Sequence, residues 1–363
     1  MAARREHAAE TFGRLSMRRP SGFAILRAVP FRSDAQETAH HYLPADPLSR
    51  FVALHGALEA SSRWWQDGIP LRLAAITMVT SRGEPAEISA AIRAIDEEMQ
   101  VRLPWYSGIS ASVRLILSAQ LVKYDDSADA FLDEVARMRG LFREVGLRRD
   151  EVHEALAVLV LRRVLRGKPA DLEVVSRMAA IYEEMKRYHW FLTGPEDFPA
   201  CAMLVGRPGT PEQIGAGIEA IYQALHRGAG LWQGDPLQTA ANVLYLSGLE
   251  APEIAERFTL LMQGFREAGA RLGQREYDEL AILCFVAQPI PTIVASVTEF
   301  GERLQAALSW TSKASAFNLA ASLAFVRLVG TDVELGALAD AKLLLDMQAI
   351  VVARAAAGAA AAS

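Results

Sequence analysis

The sequence predicts an all-α chain, an α-solenoid of about seven helical pairs. Three observations predict it. Apolar residues recur at steps of three and four along almost the whole chain, without a run of period-two alternation. Good helix formers dominate, and Gly and Pro fall between the periodic segments. A block of apolar residues also returns every forty positions: Cys201–Val205, Ala241–Tyr245, Ala281–Phe285 and Ala321–Phe325.

Taken in order, residues 1–45 read as a basic, flexible arm, with Met17 an alternative start. A helix follows near Pro47–Trp65, and the pairs then run from Ile69 to Arg354 within a repeat domain spanning 46–352. In each pair the first helix is apolar on most sides and is expected inside. The second is amphipathic, as in Ile214, Ile218, Ile221, Tyr222 and Leu225. Units of this kind bury their stripes only by stacking, in the manner of HEAT-like arrays. A closed α/α toroid satisfies the same period. Residues 353–363 are an alanine-rich tail.

The composition, 51% hydrophobic and 22% charged, gives enough apolar mass for a core and excludes a disordered chain. Net charge is −5. Residues 1–32 hold seven arginines against two glutamates, so the remainder carries about −10, which argues against a nucleic-acid-binding body. No apolar run reaches the length of a membrane span. Two cysteines, Cys201 and Cys284, in apolar helical stretches read as buried reduced thiols, and a cytoplasmic location is expected.

No catalytic motif stands out. Gly215-Ala216-Gly217-Ile218-Glu219-Ala220 fits GxGxxA, but it lies inside a helix opened by the capping box Thr210-Pro211-Glu212-Gln213. Gly228-Ala229-Gly230 reads as that helix's C-cap. The seven histidines form no metal-binding spacing, so neither a metal nor a cofactor is expected. Carboxylates at first-helix starts (Glu196, Asp197, Asp235, Glu276 and Asp278) read chiefly as caps and first-turn acids. All six tryptophans (Trp64, Trp65, Trp105, Trp190, Trp232 and Trp310) fall near repeat junctions. Their recurrence in phase points to inward staples between repeats rather than an outward aromatic ladder.

One stretch, Tyr188-His189-Trp190-Phe191-Leu192-Thr193-Gly194-Pro195-Glu196-Asp197-Phe198-Pro199, resembles the bacterial domain-of-unknown-function family four thousand and three. The pattern there is Tyr-x-x-x-Lys-x-x-His, then Phe-Leu-Thr, then an acid-Asp-aromatic-Pro turn; Tyr182, Lys186, His189, Thr193, Glu196, Asp197 and Pro199 fit. The run Gly230–Gln238 resembles a second block of that family. Trp190 and Asn242 depart from it, standing where a proline and a histidine are expected. The resemblance implies an all-helical protein and brings no activity.

The expected function is non-catalytic binding of a protein or peptide partner. The binding candidates are His189, Trp190, Thr193, Glu196, Asp197, Trp232 and Gln238. The alternative is an enzyme or small-molecule binder with a pocket around His189, Asp197 and Gln238.

Overall fold

The structure, a computed structural model, describes residues 42–61, 68–308, 313–330 and 342. The arm through residue 41, the tail 353–363, Trp64, Trp65 and Trp310 lie outside the described residues. Among the described residues the chain is all-helical, with fourteen α-helices and no strand. They run α1 Pro47–Ala60, α2 Gly68–Met78, α3 Pro85–Arg102, α4 Ala111–Lys123 and α5 Ala128–Glu144. Next come α6 Glu151–Val164, α7 Leu172–Tyr188, α8 Phe198–Leu204, α9 Pro211–Gly228 and α10 Asp235–Tyr245. The last four are α11 Ala251–Glu267, α12 Tyr277–Leu283, α13 Ile290–Ala307 and α14 Lys313–Val329. Pairing thus begins one helix earlier than the sequence suggests.

Helix starts follow their local chemistry. The side chains of Asp46, Ser110, Ser127, Asp150, Asp171 and Thr210 each accept a first-turn N–H. The box at α9 forms as expected: Thr210 N–H donates to Gln213 Oε1 at 2.9 Å, and Gln213 N–H to Thr210 Oγ1 at 3.3 Å. Gly230, at φ +68°, ends that helix where an L side chain would be strained. The GxGxxA run packs instead of binding a nucleotide: a Cβ on Gly217 would lie 2.5 Å from the Tyr245 ring.

Two layers result. Even-numbered helices form one and odd-numbered helices the other, and successive members of each layer pack side by side, apart from α4 and α6. The even helices are apolar nearly all round; in α6 every residue from Val152 to Leu161 is buried. Odd helices bury a single stripe, such as Ile254, Phe258, Leu261 and Phe265 of α11. The late turns of an odd helix meet the early turns of the next, as where Gly228 approaches Ala255 and Gly264 approaches Val294. Helices far apart in the chain also meet: α14 packs on α1 and α2, and Arg303 Nη2 of α13 pairs with Asp46 Oδ2 at 2.6 Å. Beyond α14, Lys342 reaches buried Glu279 of α12 at 3.0 Å.

An arginine device recurs. Arg177 of α7 donates to the carbonyls of Val205, Arg207 and Gly209, which follow α8. Arg257 of α11 does the same for Cys284, Val286 and Gln288 after α12. Arg50 of α1 holds Ser81 and Gly83 after α2. A cation there satisfies free carbonyls and meets the negative end of the inner helix.

Candidate functional site

The odd-to-even linkers are tied to the helix starts beside them, the α3–α4 linker to α6, the α7–α8 linker to α10 and the α9–α10 linker to α12. Gly108 N–H donates to Glu151 Oε2 at 2.6 Å, and Ser107 Oγ to Glu151 Oε1 at 3.0 Å. Gln238 Nε2 donates to Thr193 Oγ1 at 3.3 Å, and Trp232 N–H to Tyr277 Oη at 3.3 Å.

Three of these linkers are aromatic. Trp105 is 95% exposed, Trp190 and Trp232 75%, Tyr106 72% and Phe191 68%. Trp105 and Tyr106 stack edge to face at 5.6 Å, as do Trp190 and Phe191 at 5.9 Å. The three described tryptophans therefore face solvent, against the expectation that they staple repeats together. The reason is local. Leu231 takes the interior place in its linker, so the next residue, Trp232, turns outward. In the α7–α8 linker, His189 packs on Tyr222, its ring 4.3 Å away, and Trp190 again turns outward.

Beneath the aromatics lies a buried polar network. Asp197 Oδ2 accepts Gly194 N–H at 3.1 Å, closing the short turn Pro195–Asp197 ahead of α8. Asp197 Oδ1 accepts Gln238 Nε2 at 3.4 Å. Glu276 closes the corresponding turn before α12, accepting Gly273 N–H at 2.6 Å; neither carboxylate bonds a first-turn N–H of the α-helix that follows it. Asp197 differs in its surroundings. Burial above all, then the nearby carboxylates Glu196 and Asp235, push its carboxyl up to about 8, despite the opposing bond from Gly194. Gln238 Oε1 and Asn242 Oδ1 are buried and accept no hydrogen bond.

His189 caps α7, its N–H bonded to Met185 O at 3.1 Å, and its Nε2 lies 2.7 Å from Glu219 Oε2 of α9. Tyr222 Oη accepts Gly234 N–H at 3.2 Å, tying α9 to the start of α10.

The sequence-selected residues thus divide. Thr193, Asp197 and Gln238 meet in one network. His189 belongs to a neighbouring pair with Glu219. Trp190 and Trp232 stand outside both, in solvent. Phe191 and Asp235 were not selected, although each lies beside or near a selected tryptophan. Asp235 is exposed at the start of α10, and burial of its carboxyl together with Glu196 raises its pKa. Among the described residues no group of three or more His, Cys, Asp or Glu is placed to hold a metal. Nor is any helix there long and apolar enough to cross a membrane.

Residues 57–356 match the family described as a protein of unknown function, DUF4003. Over 185 residues the chain is 28% identical to Uncharacterized protein YeaA of Bacillus subtilis (strain 168), covering 50% of this chain and 54% of that protein. The chain thus spans about half the length of this curated relative. No solved structure matches it.

Proposed function

The chain belongs to the DUF4003 family of proteins of unknown function, and from its geometry we propose that it is a non-catalytic protein that binds a protein or peptide partner. Its architecture is a helical repeat, seven hairpins among the described residues, closed into a ring, the α/α toroid rather than the open solenoid. The contact of α14 with α1 and α2 supports closure. We place the protein in the cytoplasm, in keeping with its two buried, unbridged cysteines.

The observation that carries the proposal is the set of five exposed aromatics, Trp105, Tyr106, Trp190, Phe191 and Trp232, on one end. Large aromatics left in water are uncommon, and Trp and Tyr dominate interface hot spots. The stacked pairs hold their rings in place, so little side-chain entropy is lost on binding. Exposed Arg148 and Arg149 in the α5–α6 linker, and Arg271 and Arg275 in the α11–α12 segment, have no ion pair among the described residues and add the other residue type favoured at such surfaces.

Native mass spectrometry of protein purified gently from its own host tests this. Wild type is expected to carry a polypeptide that the W105A/W190A/W232A variant has lost, with the variant still folded. Equal retention by both would overturn the rim as the working surface.

A second function, a small-molecule or catalytic pocket at His189, Asp197 and Gln238, is favoured by one observation. A buried carboxyl near 8 stays protonated at neutral pH, as a general acid must. A small-molecule adduct on the wild type, absent from an H189A/D197N variant, would support it over partner binding.

A further inference from the structure

We infer that Arg207, just after α8, is the centre of an anion site that receives one oxyanionic group, a carboxylate or a phosphate, where the α8–α9 linker meets the α10–α11 linker. The inference does not depend on the aromatic linkers being a binding surface.

First, the charge of Arg207 is unanswered. The residue is only 9% exposed. Among the described residues it forms no ion pair and its side chain donates no hydrogen bond; Nε is sealed from water without a partner. Burial lowers the pKa of the guanidinium, and what opposes burial is Tyr245 rather than a carboxylate. A buried charge is ordinarily paired, because its lost hydration is costly and an opposite charge offsets that cost.

Second, the fold does not need a cation at this place. Four arginines of odd helices reach the linker behind an even helix in the same way. Arg50 Nη2 donates to Ser81 O, Arg137 Nη2 to Ala170 O, Arg177 Nη2 to Arg207 O and Arg257 Nη2 to Val286 O. The four accepting residues are all buried, and the other three are neutral. Arg177 already meets the free carbonyls behind α8, those of Val205, Arg207 and Gly209. Arg207 therefore adds a second positive charge to a linker whose helix end is already served.

Third, the guanidinium can be reached. Its Nη2 lies against Gly248 of the α10–α11 linker, where a Cβ would stand 3.8 Å away. Gly248 is exposed and carries no side chain to cover that nitrogen. Of the three nitrogens Nε alone is shut off from water. The remaining fork, Nη1 and Nη2, has the spacing that two oxygens of a carboxylate or phosphate accept.

The test compares the full chain in chloride, acetate and phosphate at matched ionic strength and pH. Phosphate or acetate, at about 50 mM, is expected to raise the wild-type thermal midpoint by about 2 °C or more over chloride. Such salts act on any protein, so the reading is the difference between wild type and variants. R207M and R207Q should lose the rise, and R227M, at an exposed arginine of α9, should keep it. In chloride R207M should melt no lower than wild type, since it removes a charge without a partner. A second readout is the arginine Nε–H spectrum of the wild type. The Arg207 resonance, identified as the one missing from R207M, should move during titration with the same anion. A response to phosphate alone assigns the site to a phosphate group, and one to acetate as well assigns it to carboxylates. Equal responses in wild type and both variants would overturn the inference, as would an Arg207 resonance that neither anion moves. A lower midpoint for R207M and R207Q in chloride would also overturn it, by making the guanidinium a structural group.

Discussion

Asp197→Asn is expected to abolish most of the pH dependence of stability between about pH 5 and 8. In the folded chain burial holds the Asp197 carboxyl up near 8, against a usual value of 3.8. Between those values the folded state keeps a proton that the unfolded state has released. Stability from this group is therefore full below its unfolded pKa and falls as pH rises toward 8, by about 1.4 kcal/mol per pH unit. Asparagine supplies the acceptor for Gly194 and a neutral side chain for Gln238, with no proton to lose. Denaturant titrations at several pH values should show a falling wild-type curve and a flatter variant curve, the variant the more stable at pH 8. Parallel curves would mean that Asp197 is ionised in the fold, and the acid role in the pocket alternative would go with it.

Arg257→Met should cost roughly 3 kcal/mol, because hydrogen bonds from a charged donor contribute about 1.5–3 kcal/mol each and a cation at a helix end adds a few tenths more. Methionine keeps the apolar stem and removes the guanidinium, leaving the carbonyls of Cys284, Val286 and Gln288 without their donor. Arg227, exposed on α9 with no ion pair among the described residues, serves as the comparison, and its methionine variant should stay within about 0.5 kcal/mol of wild type. A loss at Arg257 no larger than at Arg227 would show that the repeated arginine is incidental.

Much of the fold was legible before any coordinates, for a physical reason. A helix that must bury one stripe, or all its faces, writes that demand into residue spacing. Val243, Leu283 and Leu323 fall in phase because each occupies the same interior place. The contact of α14 with α1 and α2 was not legible, because it joins segments far apart in sequence and leaves no period of its own. The arginine device was visible and passed over. Arg177 and Arg257 stand two repeats apart, and the position between them is Gly217, where the Tyr245 ring fills the space. An arginine-rich composition hid the phase.

The candidate site was legible in its inner half only. Thr193, Asp197 and Gln238 meet because two linkers enter neighbouring inner helices side by side, which the repeat predicts. The direction of the tryptophans did not follow from phase. A residue at a junction can point either way, and the choice falls to its neighbour: buried Leu231 sends Trp232 outward. Asp235 reads as an ordinary first-turn acid; burial and the charge of Glu196, from another linker, set it apart.

The central claim, that the aromatic end meets the partner, is tested most directly by photo-crosslinking in the native host. Benzoylphenylalanine would replace Trp105, Trp190 or Trp232, and Leu172, exposed at the start of α7 on the opposite end, would be the reference. The account predicts one common protein adduct from the three tryptophan positions and none from Leu172. Adducts from Leu172 alone, or from none of the four positions, would contradict it.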